Sequence, residues 1–157
     1  GGIFSASEIV KMAIEIEKNG RDFYGALMQK ARDIRLQNIF SLLAQEEEKH
    51  IRAFQGILKE AEEKQEPGIE SDDYYAYMKS LSERYVFTKE NTGKGVAATI
   101  KNEGDAIEKA INFERESIIF YDGVKKVVPE SGRKIVDALI EQEKEHLSRL
   151  SSIREQL

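Results

Sequence analysis

The sequence predicts an all-α protein, a four-helix bundle made of two duplicated antiparallel helical hairpins joined by a long crossover that contains a short extra helix. Apolar residues recur every three or four positions through four long segments, which is the period of a helix with one buried face. The 157 residues include only two prolines. The two halves of the chain also match each other at an offset of 96 or 97 residues, as one duplicated hairpin would.

The first helix is predicted over about residues 6–31. Ser5 and Glu8 match a capping box, and Phe4 and Ile9 are placed as a hydrophobic staple at its start. A glutamate interrupts its otherwise apolar face, which consists of Val10, Ala13, Glu17, Gly20, Tyr24, Leu27 and Ala31.

The second helix is predicted over about residues 36–65, because Pro67-Gly68 stops the helical pattern. Its outer face is rich in glutamate and lysine, as a solvated face is. Its inward face carries both a glutamate and a histidine, and consists of Phe40, Leu43, Glu47, His50, Phe54, Ile57 and Ala61.

The crossover is predicted over residues 66–103 and is the least regular part of the chain. A short helix is predicted from Asp72 to about Arg84. Thr92 to Gly95 is predicted to be a loop, and it lacks the rest of a phosphate-binding pattern. We expect the tyrosines of this region to pack, within the chain or between subunits, rather than to bind a ligand; they are Tyr74, Tyr75, Tyr77 and Tyr85.

The third and fourth helices are predicted over about residues 104–128 and 131–156, within a single domain that covers residues 1–157. The third helix has a buried face of Ile107, Ala110, Glu114, Ser117, Tyr121, Val124 and Val128. The fourth has a buried face of Ile135, Leu139, Glu143, His146, Leu150 and Ile153. Short connections make each pair antiparallel, and the long crossover can span the length of the bundle.

Composition and charge narrow the function classes. The net charge of −5 gives no basic surface for nucleic acid. The chain has no cysteine, which excludes disulfides, thiolate zinc sites and a rubredoxin-type iron centre within these residues. No apolar run approaches the roughly 18 residues of a membrane span, and no export signal is recognisable. We therefore expect a cytoplasmic protein with neither a nucleic-acid nor a membrane partner.

Two Glu-x-x-His motifs, Glu47 with His50 and Glu143 with His146, contain both histidines of the chain. Positions i and i+3 lie on one face of a helix, so each pair can point at one object. That face is the apolar one, where an unpaired carboxylate costs several kcal/mol. A bound cation explains both motifs better than buried salt bridges do, because no lysine or arginine occupies the neighbouring layers of the seam.

Packing the two hairpins together brings four glutamates and two histidines into one interior. Such a set suits two divalent first-row metals about 3.5–4 Å apart. The predicted metal ligands are Glu17, Glu47, His50, Glu114, Glu143 and His146, with Glu47 and Glu143 bridging. Glu17 and His50 would complete one metal position, and Glu114 and His146 the other. Manganese or zinc would fit the same ligands as iron.

Tyr24 and Tyr121 each lie seven residues beyond a predicted ligand glutamate, two turns along the same face. Each could be a core tyrosine and nothing more. Their repetition in both halves favours a second role, in which each phenol donates to a ligand carboxylate and fixes its orientation.

These residues make the sequence resemble the rubrerythrin branch of the ferritin-like superfamily over most of the chain. The resemblance implies a di-iron centre, reduction of hydrogen peroxide or dioxygen, and a homodimer. Two features depart from that family. Rubrerythrins usually carry a C-terminal rubredoxin domain, which this cysteine-free chain lacks, so electrons are expected from a separate donor protein. They also place a second carboxylate one turn beyond the third-helix ligand, where this chain has Ser117.

Three functions remain open from the sequence. The leading hypothesis is a di-iron oxidoreductase that acts on peroxide or dioxygen. The alternative is a non-enzymatic protein that binds metal for iron storage or delivery, which ranks lower because no fifth helix of the classical ferritins is recognisable. The third is a structural helical module that keeps its metal only for stability.

Overall fold

The computed structural model describes residues 6–64 and 72–157, and these residues form six helices and no strand. The helices are α1 (Ala6–Lys30), α2 (Ile34–Lys64), α3 (Asp72–Glu83), α4 (Gly93–Thr99), α5 (Glu103–Lys125) and α6 (Glu130–Gln156). The most extensive packing joins α1 to α2 and α5 to α6. The predicted all-α bundle of two helical hairpins is therefore confirmed.

Side-chain caps fix where two of the long helices begin. Asp33 Oδ1 accepts a hydrogen bond from the backbone N–H of Arg35 at 2.8 Å, so α2 begins at Ile34, two residues before the predicted start. Asn102 Oδ1 accepts one from the N–H of Asp105 at 2.8 Å, and α5 begins directly after it. These caps satisfy backbone donors that a helix start leaves without partners.

The core lies between the four long helices, along most of the faces that the sequence predicts. Every residue predicted for the buried face of the third long helix is buried. Ala31, Ala61 and Ile153, at the ends of their faces, are only half-buried. Within the described residues, no helix combines the length and apolarity that crossing a membrane would require.

The predicted inward position of Ile135 is wrong, because this residue is 40% exposed and Val136 is buried instead. The predicted face steps from 135 to 139 to 143, and two consecutive steps of four rotate by about 80° around a helix with 3.6 residues per turn. Steps from 136 to 139 to 143 alternate three and four residues and so stay on one side.

The predicted loop at Thr92 to Gly95 is also wrong, since Gly93–Thr99 forms the short helix α4. The hydroxyl of Thr92 caps it by accepting a hydrogen bond from the N–H of Gly95 at 3.2 Å. The helix packs on α1, where the N–H of Gly93 donates to Asn19 Oδ1 at 3.0 Å. A side chain at position 93 would have its Cβ only 1.9 Å from the Asn19 carbonyl oxygen, so this contact requires glycine.

Helix α5 ends at Lys125, three residues before the predicted end. The N–H groups of Lys126 and Val127 bond to carbonyls three residues earlier, at 3.2 and 3.1 Å, which tightens the last turn before Pro129. The predicted capping contacts of Phe4 and Ser5 and the predicted stop at Pro67-Gly68 lie outside the described residues.

Two of the crossover tyrosines, Tyr74 and Tyr85, pack on α5. The hydroxyl of Tyr74 donates to the carbonyl of Gly123 at 2.6 Å, and the buried Met78 approaches the same glycine. The Tyr85 ring meets Phe120 with centroids 6.0 Å apart. Tyr77 is 54% exposed. Packing within the chain therefore accounts for Tyr74 and the ring of Tyr85.

Gly20 sets the approach of α1 to α5 beside the centre of the bundle. A Cβ at this position would lie 2.3 Å from Cζ of Phe113, a ring that is itself buried. Gly20→Ala is therefore expected to lower the free energy of unfolding by about 1–3 kcal/mol, the usual cost of overpacking a core. Urea denaturation measures this change.

Gly56→Ala is the matched control, because Gly56 is also inside a helix and a Cβ added there would have no neighbour within 4 Å. Alanine there gains helix propensity and should raise the free energy of unfolding by about 0.5–1 kcal/mol. Equal effects of the two substitutions would contradict the close α1–α5 contact.

Candidate metal centre

All six residues predicted as metal ligands lie together in the bundle interior. In one group, each of four residues offers a donor atom within 4.8 Å of the others: Glu17, Glu47, His50 and Glu143. A second group meets the same criterion: Glu47, Glu114, Glu143 and His146. Glu47 and Glu143 belong to both groups, which is the placement expected of bridging carboxylates. Their role as ligands remains a prediction.

The four carboxylates are buried and almost without partners. Each glutamate has no exposed surface. Seven of the eight carboxylate oxygens accept no hydrogen bond among the described residues, although Glu143 Oε1 lies 2.8 Å from His50 Nδ1. Glu17 Oε2 lies 3.7 Å from the same nitrogen. Because unsatisfied charge in an apolar interior is costly, four ionised carboxylates here need more positive charge than the one imidazolium that His50 can supply.

In the metal-free protein, burial and neighbouring charges raise the pKa values of two of the clustered glutamates. Burial raises the pKa of Glu17 to about 8, and the charge of Glu143 adds to the rise while the nearby imidazole of His50 opposes it. Burial and the charge of Glu143 also raise the pKa of Glu47 well above its ordinary value. Metal binding must therefore displace protons from these carboxyl groups.

The two histidines differ in the metal-free protein. Burial alone would lower the pKa of His50, but the carboxylates of Glu143 and Glu17, at 2.8 and 3.7 Å from Nδ1, outweigh it and raise the pKa to about 12. Burial lowers the pKa of His146, whose imidazole is thus neutral. The rings stack at 17° with their centroids 6.1 Å apart. His50 must lose a proton before its Nδ1 can bind a metal, whereas His146 need not.

Tyr24 has the contact expected of an orienting phenol, but Tyr121 does not. The hydroxyl of Tyr24 donates to Glu114 Oε1 at 2.7 Å, and burial keeps the pKa of the phenol well above its ordinary value. This contact crosses from α1 to α5. The hydroxyl of Tyr121 is buried and has no hydrogen-bond partner among the described residues, so the prediction that it donates to a carboxylate is wrong. Its ring instead packs on that of Phe54, with the ring centroids 4.9 Å apart.

This asymmetry makes a matched pair of variants. Tyr24→Phe should lower the free energy of unfolding of the metal-free protein by about 1 kcal/mol, since it deletes a buried hydrogen bond. Tyr121→Phe should not lower it, because it removes a hydroxyl with no partner. Urea denaturation of both variants measures the two changes in the free energy of unfolding. Equal destabilisation would contradict the difference in hydrogen bonding between the two hydroxyls.

Ser117 occupies the position where the resemblance expects a further carboxylate. It is buried, and its hydroxyl donates to the Phe113 carbonyl one turn earlier in the same helix at 2.9 Å. The hydroxyl is thus satisfied within α5. The cluster consequently contains two carboxylates and one imidazole from each hairpin.

A groove between α2 and α6 reaches the centre from the surface. These helices pack on each other only sparsely, and a cavity of about 560 Å³ lies between them with both imidazoles in its wall. Gln142 also lines this groove, and its Oε1 lies 2.9 Å from His50 Nε2. Gln142 was not among the predicted site residues, although it stands at the repeat-related position of Glu46, directly before a motif glutamate.

The donor set suits a pair of divalent first-row metals. Carboxylate oxygens and neutral imidazole nitrogens bind iron, manganese and zinc, and two shared carboxylates can hold two ions at once. The unpartnered oxygens of all four glutamates are what such ions would satisfy. A dinuclear centre therefore fits the residues that the bundle brings together.

Comparisons with known proteins agree with this arrangement. Residues 8–153 match the family model described as Rubrerythrin. A crystal structure from Thermotoga maritima, described provisionally as a ferritin-like diiron-carboxylate protein, superposes with a TM-score of 0.72. The two sequences are 24% identical, and the match covers 99% of this chain and 97% of the other, which establishes the likeness of fold. A search of the curated proteins finds no significant match.

Proposed function

The chain belongs to the rubrerythrin family, and from that premise we propose that it binds two iron ions and reduces hydrogen peroxide or dioxygen. The observation that supports this proposal is the buried cluster of four glutamates and two histidines, whose carboxylate oxygens are almost all without protein partners. Glu47 and Glu143 would bridge the ions. Glu17 and His50 would complete one position, and Glu114 and His146 the other.

Two bound ferrous ions would supply the two electrons that, with two protons, convert one hydrogen peroxide into two waters. The protein's own contribution is to hold six donors in a dry interior, where four carboxylates balance the charge of the ions. Both histidines would act as neutral ligands rather than general bases, because ligation occupies the lone pair that a base needs. Tyr24 would keep Glu114 in one orientation through its hydrogen bond.

Electrons for a second turnover would come from a separate donor protein. The chain has no cysteine, so these residues cannot form a thiolate-bound iron centre of the rubredoxin type. The groove between α2 and α6 supports entry of a small oxidant, because the imidazoles of His50 and His146 form part of its wall.

The test is an anaerobic titration of ferrous-loaded protein with hydrogen peroxide, followed by optical absorption. The proposal predicts an end point at about one peroxide for each pair of irons, as a two-electron step requires. Zinc-loaded protein is the control, because zinc occupies the same kind of ligands without redox chemistry. A protein that holds two irons but reacts with neither peroxide nor dioxygen would instead be a metal-binding protein without turnover.

A further inference from the structure

The two predicted metal positions have matching ligands, but their imidazoles differ in the hydrogen-bond partner of Nε2, the ring nitrogen on the far side from the carboxylates. His50 turns Nδ1 toward the carboxylates and Nε2 toward Gln142, with 2.8 Å to Glu143 Oε1 on one side and 2.9 Å to Gln142 Oε1 on the other. An amide oxygen only accepts hydrogen bonds, so Nε2 must be the protonated nitrogen when the ring is neutral. This leaves the Nδ1 lone pair directed at the cluster.

His146 lacks such a contact. The repeat-related residue on its side is Glu46, whose Oε1 faces Lys49 Nζ at 3.6 Å. Among the described residues, no hydrogen bond reaches Nε2 of His146, and the ring borders the groove. Rotation of this imidazole is therefore opposed by packing and by Glu114 Oε1, 3.7 Å from its Nδ1. Rotation of the His50 imidazole is opposed by close contacts at both ring nitrogens.

The carboxylates differ as well. Glu114, on the His146 side, accepts a hydrogen bond from Tyr24 at 2.7 Å. Glu17, on the His50 side, accepts none from a tyrosine, because the hydroxyl of Tyr121 has no partner among the described residues. The bond from Tyr24 orients Glu114 but also withdraws part of its negative charge from a cation, so the contact behind the imidazole is the difference that separates the two positions.

We propose that Gln142 is a positioning residue that holds His50 in its metal-binding orientation and makes the Glu17–His50 half of the centre the tighter of two metal positions. The inference rests on the proposed function only in requiring that the centre binds metal. Loss of a contact behind a ligand histidine typically weakens metal binding by about 10–100-fold.

Titration with cobaltous ion, followed by visible absorption, tests this inference without any turnover. Wild-type protein should fill in two steps of different affinity. Gln142→Leu, which keeps the approximate size but removes the acceptor, should raise the dissociation constant of the tighter step by about 10–100-fold and leave the weaker step unchanged. Gln142→Glu keeps an acceptor and should restore the tighter step. Gln45→Leu, the same change at an exposed position of α2, should alter neither step.

Proton NMR of the cobalt-loaded protein gives a second readout that a purely structural role would not change. The shifted N–H signal of His50 should exchange slowly with deuterated water, that of His146 quickly, and Gln142→Leu should make both fast. Unchanged affinity and exchange in Gln142→Leu, or failure of Gln142→Glu to restore them, would overturn the inference. Wild-type protein that binds no cobalt would overturn the proposed function as well, whereas a positive cobalt result with no peroxide reaction would contradict the proposed function alone.

Discussion

Glu143→Gln is expected to reduce the bound iron from two ions per chain to one or none and to abolish the reaction with peroxide. Glu143 is one of the two carboxylates whose oxygens lie within reach of both halves of the cluster. The amide keeps the shape of the side chain but removes its charge and one acceptor oxygen, so the bridge between two cations is lost. Iron analysis of protein loaded and desalted under anaerobic conditions measures the first effect, and peroxide titration measures the second.

Glu141→Gln is the matched control on the same helix. Glu141 is exposed, and its one ion pair among the described residues is with the neighbouring Lys144 at 3.3 Å, so its loss should change neither iron content nor reactivity. If Glu143→Gln retained two irons, the assignment of Glu143 as a bridge would be wrong.

Metal loading is expected to raise the melting temperature by about 10–20 °C at a free metal concentration 100 times the dissociation constant. Each site then contributes about 2.7 kcal/mol, because the metal binds the assembled ligands and not the dispersed ligands of the unfolded chain. For a chain of this length, a change of about 1 kcal/mol in the free energy of unfolding shifts the melting temperature by about 2–4 °C.

The difference between metal-free and metal-loaded protein should widen as pH rises. The pKa of Glu17 is raised to about 8 in the folded metal-free protein from an ordinary value of 4.5, so the folded state binds more protons than the unfolded state between these values. Stability of the metal-free protein therefore falls as pH rises through that window. His50 acts in the same direction above its ordinary value of 6.5, because its folded pKa is raised to about 12.

Bound metal removes this dependence, since it takes the place of the protons on Glu17 and His50. Differential scanning calorimetry of both forms between about pH 5 and pH 8.5 measures the effect. As pH rises, the melting temperature of the metal-free form should fall progressively, while that of the metal-loaded form should stay nearly constant. Coincident melting of the two forms across the range would show that no specific metal site exists.

The fold and the convergence of the cluster could be predicted because one physical constraint determines both. A helix that must bury one face shows that face at a fixed period, so Glu17 and Glu114 stood out as polar residues inside apolar seams. The repeat then placed the two hairpins about one centre. Two Glu-x-x-His motifs that share the phase of the core are unusual enough to indicate a common site even before any packing is known.

The features that could not be predicted depend on contacts between segments distant in sequence. Helix α4 has only seven residues, and it depends on Thr92 as its cap and on a glycine that touches the backbone of Asn19. The same cause explains why Tyr24 has a hydrogen-bond acceptor and Tyr121 has none among the described residues, because the acceptor of Tyr24 is on another helix, 90 residues away in sequence. The contact of Gln142 with His50 likewise joins α6 to α2 and shows no signature within either helix.

Anomalous diffraction at the iron edge, from crystals grown with ferrous ion under anaerobic conditions, tests the central claim most directly. The account predicts two peaks roughly 3.5–4 Å apart in the bundle interior. One peak should lie between Glu17 and His50 and the other between Glu114 and His146, with Glu47 and Glu143 contacting both. No peak in the interior, or iron bound only at surface carboxylates, would contradict the assignment of these six residues as a dinuclear metal centre.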